Sequence, residues 1–234
     1  MIKDCEVIMD LNLYSKKREF LFNLSGIDFI LAGSFNNLIH NPNYGRLPGD
    51  IDLLVPSYDQ FEAIYDTIED NPRIEVIKQN ELSSNIKMKL SDAGDEFGVD
   101  VSIGCVPFEP NILPSIFGEE PQALKAINHN FYMATKLYTY LVGYHDPEYF
   151  IPKDLFDLMV LIKTDFDVSG VKHCLMLLEK NQGKLDQINM LSEEDNLPYL
   201  EKTRRAKLEK FGNQKIITSQ NTLLVKKLIN KMYY

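Results

Sequence analysis

The amino-acid sequence predicts an α+β protein in which a mixed β-sheet flanked by helices is followed by a mostly helical C-terminal domain. Over residues 1–115, short apolar runs bounded by Gly, Pro and Asn alternate with amphipathic stretches, as strands and helices do. The turn signal Ser91–Asp95 lies between two apolar segments and favours a β-hairpin. Over residues 116–234, apolar residues recur mainly at helical spacing. We therefore predict two domains with these bounds, the second of which completes the cleft of the first.

The first predicted elements are a helix, a buried strand and a shorter helix. Leucines and aromatic residues along residues 10–24 are spaced as on one face of an amphipathic helix. The apolar run Asp28–Ala32 is typical of a buried strand, and it ends in a tight turn at Gly33 and Ser34. Phe35–His40 is long enough for one or two helical turns.

A loop, a second strand and a capped helix follow. Residues 41–49 contain Pro, Gly and Asn and are predicted to form a loop. Ile51–Val55 is an apolar strand stopped by Pro56, and Ser57 can cap a helix that runs to about Glu69. Three further strands are predicted, at Ile74–Lys78, Ile86–Leu90 and Phe97–Ile103.

The C-terminal part is predicted to be helical because its apolar residues keep the spacing of one helix face. The first run comprises Leu124, Ile127, Phe131, Met133, Ala134, Leu137, Tyr138 and Leu141. The same pattern continues in Leu155–Ile162, Val171–Leu178 and Leu223–Met232.

The charge is distributed unevenly along the chain. The formal net charge is −9, yet Lys202–Lys231 contains 9 Lys and Arg against one acid, so that segment carries +8 and the remainder −17. An acidic body does not suit a general nucleic-acid-binding protein. The basic segment suits a local contact with RNA or another phosphate-bearing partner; the alternative is a solvated, Lys-rich helix face.

The cysteines and the apolar runs indicate a cytoplasmic protein. Cys5, Cys105 and Cys174 are far apart in the sequence and indicate neither a disulfide framework nor a zinc site. The first residues include acids and no long apolar run, which argues against a signal peptide. No stretch approaches the roughly 18 apolar residues that a membrane span requires.

Two aspartates at the start of the second strand are candidates for a metal site. Asp50 and Asp52 are two residues apart, so on a strand they point to the same face, while Ile51 and Leu53 point to the other. Adjacent carboxylates repel each other unless a positive charge lies between them. Their hard oxygens favour Mg²⁺, or Mn²⁺ in its place, and Mg²⁺ also binds substrate phosphates.

Gly33, Ser34 and Asp100 extend this candidate site. Gly33 lets the backbone approach a phosphate, the following helix N-terminus offers N–H groups, and Ser34 adds a hydroxyl donor. These features predict a binding site for the phosphates of a nucleoside triphosphate. Asp100 shares a strand face with Ser102, and it would complete the metal site or act as a base if its strand lies beside Ile51–Val55.

Each of these features alone has a plainer interpretation. A Gly-Ser pair after a strand is usually only a turn, and Asp50 and Asp52 would also suit a solvated strand face. The alternation from Val99 to Ser102 is ordinary in a sheet. The metal site is indicated by the order and spacing of the features together.

The set resembles the signature of the nucleotidyltransferase superfamily, which is a Gly-Ser or Gly-Gly turn, an apolar-flanked Asp-x-Asp and a later Asp on another strand. Here the turn is Gly33-Ser34, the pair is Asp50-Ile51-Asp52 after an interval of 15 residues, and the third acid is Asp100. Lys136, followed 21 residues later by Asp157, resembles the AbiEii-type, toxin-like branch. That resemblance implies that Lys136 binds the triphosphate and that Asp157 belongs to the active site.

The residues themselves are compatible with this assignment. Asp154 and Asp157 are three apart and would share one helix face, and Lys136 on the preceding helix could reach the same cleft. One alternative is a surface lysine beside an exposed acidic helix face. Another is that Lys153 and Asp154 form a local charge pair with a structural role.

Three features depart from the family pattern. Pro48 follows Arg46 where the branch often has Ser or Thr, and Ser34 stands where many relatives have a second Gly or Thr. The Arg-rich helical motif of some members is missing between Lys136 and Asp157. These departures leave the substrate open.

Residues and resemblance together predict a metal-dependent enzyme that transfers a nucleoside monophosphate from a nucleoside triphosphate to an acceptor hydroxyl. The resemblance implies an RNA acceptor such as a tRNA 3′ end and an antitoxin protein as partner. Basic residues of the C-terminal helices would approach the acceptor, namely Arg204, Arg205, Lys207 and Lys210. Alternatives are the same chemistry on a small molecule, or a non-catalytic nucleotide-binding or partner-binding protein of the same fold.

Overall fold

The computed structural model describes residues 11–40, 48–82, 84–106, 108–113, 124–145, 152–182 and 228. The chain divides into two compact units, Met1–Asn128 and His129–Tyr234. Within the described residues, the first unit has a mixed 7-stranded sheet with helices, and the second consists of helices. The predicted α+β fold class is therefore confirmed. No helix in the described part of the chain could cross a membrane.

The first unit begins with helices and strands in alternation and continues with a run of strands. In chain order it contains α1 (Leu11–Asn23), β1 (Ile30–Ala32), α2 (Gly33–His40), β2 (Asp50–Val55), α3 (Tyr58–Glu69), β3 (Ile74–Leu82), β4 (Asn85–Asp92), β5 (Asp95–Ile103), β6 (Asn111–Leu113) and β7 (Leu124–Ala126). The strand order is β3-β4-β5-β2-β1-β7-β6. At the centre of the sheet, β2 pairs in parallel with β5 and antiparallel with β1.

Alternation along the central strands separates an apolar face of the sheet from a polar one. The apolar face includes the buried residues Ile51, Leu53, Val99 and Val101. Helices α1 and α3 contact these central strands, and the ring of Phe20 on α1 lies 5.8 Å from that of Phe97 on β5. Burying side chains of this size contributes about 1.5–3 kcal/mol each, so this face anchors the strands that carry the polar residues.

Local signals explain where several elements begin and end. Ala93 and Gly94 have φ values of 51° and 90° and close the β4–β5 hairpin, as two-residue turns with positive φ commonly do. The Ser57 hydroxyl accepts a hydrogen bond from the N–H of Gln60 at 3.4 Å and caps α3. The predicted hairpin turn and the predicted N-cap are both confirmed.

The helix predicted from Leu124 onward is wrong over its first residues. Leu124–Ala126 forms β7, in which Ala126 pairs in parallel with Leu31 of β1, and the N–H of Ile127 donates to the Leu31 carbonyl at 2.8 Å. The neighbouring β6 was not predicted either. A three-residue strand is too short to establish a period-2 pattern, and pairing with distant residues decided its conformation.

The second unit contains three helices among its described residues. These are α4 (His129–His145), α5 (Pro152–Leu161) and α6 (Val168–Gln182), and α4 packs against both of the others. The predicted helical character of these segments is confirmed. The predicted helix Leu223–Met232 and the basic segment Lys202–Lys231 lie outside the described residues, apart from Leu228.

Lys17 on α1 is an unusual member of the core because its side chain is fully buried. Its Nζ donates hydrogen bonds to the carbonyl oxygens of Pro48 and of Gly49, the latter at 2.8 Å. It also lies 6.0 Å from the centre of the Phe35 ring. Because Pro48 and Gly49 immediately precede β2, this ammonium group ties α1 to the start of that strand.

We expect Lys17→Met to lower the free energy of unfolding by about 1–3 kcal/mol, because it removes a buried donor from two carbonyl oxygens. Urea denaturation followed by circular dichroism would measure this. Ser15→Ala, at an exposed position of the same helix, is the control and should change stability by less than about 0.5 kcal/mol. Equal stability of the two variants would contradict the role given to Lys17.

Candidate active site

Three aspartates lie together on the polar face of the central strands. Asp50 and Asp52 are on β2, Asp100 is on β5, and Asp52 lies directly opposite Asp100 in the parallel ladder. Strands in a sheet are about 4.8 Å apart, and opposed residues share a face. These three residues are referred to below as the carboxylate patch. The strand adjacency on which the prediction for Asp100 depended is therefore present.

Two glycines make room for the carboxylate patch. A Cβ atom at Gly33, the first residue of α2, would lie 1.7 Å from Asp52 Oδ2, and the residue has a φ of +63°. A Cβ atom at Gly98, opposite Asp50 on β5, would lie 2.1 Å from Asp50 Oδ1. Any other residue at either position would overlap a carboxylate. Sequence reasoning singled out Gly33 but not Gly98, although Gly98 shares the strand face of Asp100.

The start of α2 adjoins the carboxylate patch. Ser34 is the second residue of this helix and is half-buried. The N–H groups in the first turn of a helix have no acceptor within the helix, and this end carries a partial positive charge. Because Gly33 contacts Asp52, hydrogen-bond donors suited to an anion lie beside carboxylates suited to a cation. A metal-bound triphosphate presents both charges.

Lys87, which sequence reasoning did not select, faces the carboxylate patch from β4. It lies opposite Asp100 in the antiparallel ladder, and its Nζ donates to and forms an ion pair with Asp100 Oδ2. The hydrogen bond with Asp100 raises the pKa of Lys87 above its ordinary value, while burial acts in the opposite direction. The charges of Asp100, Asp52 and Asp50 also raise this pKa, so all three carboxylates act on one ammonium group.

The donor set of the carboxylate patch fits a divalent cation. Carboxylate oxygens are the ligands that Mg²⁺ and Mn²⁺ prefer, and the ammonium group of Lys87 already supplies positive charge at Asp100. Within the described ranges, no group of three or more His, Cys, Asp or Glu side chains is arranged so that it could hold a metal ion.

The helical unit contains a buried ionic cluster. Lys136 Nζ on α4 lies 2.5 Å from Asp154 Oδ1 and 3.0 Å from Asp157 Oδ2, both on α5. The Tyr132 hydroxyl donates to Asp157 Oδ2 at 3.4 Å, and Lys136 Nζ lies 5.4 Å from the centre of the Tyr132 ring. Asp154 and Asp157 are both buried. The alternative of a surface lysine beside an exposed acidic helix face is therefore wrong.

The electrostatics of this cluster keep Lys136 charged. Burial acts to lower the pKa of Lys136, but the charges of Asp157 and Asp154 outweigh it, and the pKa lies above its ordinary value. One positive charge thus faces two negative charges, and the cluster joins α4 to α5. The triphosphate-binding role of Lys136 and the active-site role of Asp157 remain predictions.

A family model and two solved structures are similar to the chain. A family model described as "Nucleotidyl transferase AbiEii toxin, Type IV TA system" matches residues 19–222. JHP933 from Helicobacter pylori is similar in structure, with a TM-score of 0.47 and 17% identity over 94% of each chain. The antibiotic-resistance factor ANT(2'')-Ia is similar with a TM-score of 0.50 and 12% identity, over 77% of this chain and 98% of that one. None of the curated protein sequences compared with the chain matches it.

We expect Gly33→Ala to displace the Asp52 carboxylate, because the new Cβ atom would overlap it. Gly26→Ala is the matched control, since Gly26 has a φ of +94° but open space around a Cβ atom. Both variants should lose about 1–2 kcal/mol of stability from the left-handed backbone conformation. Only Gly33→Ala should also weaken Mn²⁺ binding, measured by calorimetry. Equal Mn²⁺ affinity would show that Asp52 does not depend on Gly33.

We expect Lys136→Met to lower the free energy of unfolding by about 3–5 kcal/mol, because it leaves two buried carboxylates without their shared cation. Urea denaturation would measure the loss. Lys153→Met, at an exposed position of α5, is the control and should cost less than about 0.5 kcal/mol. If the two variants are equally stable, the cluster does not hold α4 to α5.

Proposed function

The chain belongs to the AbiEii nucleotidyltransferase family, and from that premise we propose that it transfers a nucleoside monophosphate from a nucleoside triphosphate to an acceptor hydroxyl with the aid of Mg²⁺. The observation that carries the proposal is the contact between Gly33 and Asp52. It sets the N-terminus of α2, which suits phosphate, beside carboxylates that suit a divalent cation.

The proposed reaction makes one bond to phosphorus and breaks another. The acceptor oxygen bonds to the α-phosphorus, the bond from that phosphorus to the bridging oxygen of the β-phosphate breaks, and pyrophosphate leaves. Asp50 and Asp52 would hold the metal, and Asp100 would complete the metal site or accept the proton of the hydroxyl. The bound metal supplies positive charge that stabilises the phosphate oxygens. Ser34 and the N–H groups after Gly33 would bind phosphate oxygens.

Two residues of the helical unit have proposed roles that derive from the family resemblance. Lys136 would neutralise charge on the triphosphate, and Asp157 would be a further residue of the active site. The raised pKa of Lys136 supports a permanent positive charge on it. Its ion pairs with Asp154 and Asp157 would hold the Lys136 ammonium group in one position.

For the acceptor we propose RNA, such as a tRNA 3′ end, and the basic segment Lys202–Lys231 would contact it. The family description names a toxin–antitoxin system, which supports an antitoxin protein as partner and a cytoplasmic site of action. An RNA acceptor predicts steep salt dependence, because binding phosphates releases counterions. Transfer to a small molecule would depend less steeply on salt, so the steepness of the salt dependence separates the two kinds of acceptor.

The test is transfer of label from each α-labelled nucleoside triphosphate, with Mg²⁺ and total bacterial RNA. Asp50→Asn/Asp52→Asn should lower the rate by at least about 100-fold, because charge stabilisation by a metal is worth several kcal/mol. Asp59→Asn/Asp66→Asn, which neutralises two exposed carboxylates on α3, should transfer as the wild type does.

The other outcomes separate the alternatives. Pyrophosphate release that requires a small hydroxyl compound and not RNA would indicate a small-molecule acceptor. Binding of a nucleoside triphosphate without pyrophosphate release under any condition would indicate a non-catalytic protein of this fold. Absence of both binding and release would contradict the site.

A further inference from the structure

Lys87 has no role in the proposed reaction, although it faces the carboxylate patch. Lys87 lies opposite Asp100, and Asp100 lies opposite Asp52, so the three residues form a row across β4, β5 and β2. The Lys87 side chain is 55% exposed, whereas that of Asp100 is 19% exposed. A long, largely exposed lysine is therefore paired with a carboxylate that is mostly buried.

The ion pair between Lys87 and Asp100 would compete with a metal ion for the same carboxylate. Asp50, Asp52 and Asp100 would repel one another, and the ammonium group of Lys87 offsets part of that repulsion. A divalent cation drawn to the same carboxylates would repel the ammonium group and compete for the oxygen of Asp100. Because Asp100 carries a single negative charge, the ammonium group of Lys87 and a divalent cation cannot each be fully neutralised by it at the same time.

We propose that Lys87 is a displaceable counter-ion of the carboxylate patch, paired with Asp100 in the metal-free protein and released from it when a divalent cation binds. This inference rests on the proposed function, because it takes the patch to be the metal site. A lysine suits the role, since its compact charge is carried on a flexible four-carbon chain. Its exposure lets the ammonium group move into water without disturbing the apolar face of the sheet.

Lys89 offers a matched control on the same strand. It is two residues from Lys87 and so lies on the same face of β4, and its side chain is 48% exposed. It forms an ion pair with Glu96 and lies opposite Gly98. Lys89→Met therefore removes the same charge from the same face without removing the partner of Asp100.

The experiment compares Mn²⁺ binding by the wild type, Lys87→Met and Lys89→Met, using electron paramagnetic resonance with the metal alone. Lys87→Met should bind Mn²⁺ roughly two- to fivefold more tightly than Lys89→Met, as expected when an ion pair no longer competes. Without metal, Lys87→Met should have the lower Tm of the two, and saturating Mn²⁺ should remove that difference. Lys87→Arg, which keeps the charge, should restore the wild-type affinity.

Three results would overturn the inference. Equal affinity of the two Met variants would show that Lys87 does not compete with the metal, while binding by the wild type would leave the proposed function standing. Weaker binding by Lys87→Met than by Lys89→Met would mean that Lys87 supports the metal site. No Mn²⁺ binding by the wild type would overturn the proposed function itself. Lys87→Gln replaces the Met variant if that variant aggregates.

Discussion

Carboxylates that are side by side on neighbouring strands repel one another, and the ladder hydrogen bonds of a sheet prevent their backbones from moving apart. Asp50, Asp52 and Asp100 are under this constraint because β2 and β5 hold Asp52 opposite Asp100. Neighbouring residues accommodate these carboxylates in two ways. Gly33 and Gly98 leave the space that the β2 carboxylates occupy, and Lys87 supplies a positive charge. Residues on α2, β4 and β5 thus accommodate the carboxylates of the central strands. Two of them are glycines that leave room, and the third is a lysine that offsets the repulsion.

The apolar face of the sheet holds this arrangement in register. A slip of one residue between β2 and β5 would send Asp100 to the buried face and bring Val99 or Val101 to the polar face, which the packing of α1 and α3 resists. The Ala93-Gly94 turn fixes the register of β4 on β5 and thereby sets Lys87 opposite Asp100. The positions of Asp52, Asp100 and Lys87 relative to one another thus follow from the hydrogen-bond register of three strands.

Much of the fold could be predicted because its signals are local. Period-2 alternation, the Ser57 cap and the hairpin turn each depend on a few consecutive residues. The three-residue strand β7 could not be predicted, since its conformation is decided by pairing with Leu31, which is far away in the sequence. The burial of Asp154 could not be predicted for the same reason. Nothing in the sequence around Asp154 shows that α4 packs over it and that Lys136 forms an ion pair with it.

The candidate site was partly predictable for the same reason. The order of Gly33-Ser34, Asp50-Ile51-Asp52 and Asp100 is visible in the sequence and also carries the family resemblance. Lys87 was overlooked, yet a signal existed, because the hairpin turn fixes which residue of the preceding strand opposes Asp100. Counting back from the turn along both strands would have paired them.

Metal binding by the carboxylate patch is tested most directly by anomalous diffraction from crystals grown with Mn²⁺ and a non-hydrolysable nucleoside triphosphate analogue. We expect a Mn²⁺ peak in contact with the carboxylates of Asp50 and Asp52, with the triphosphate against the start of α2. A Mn²⁺ peak bound elsewhere in the protein, with no density at these two residues, would contradict it.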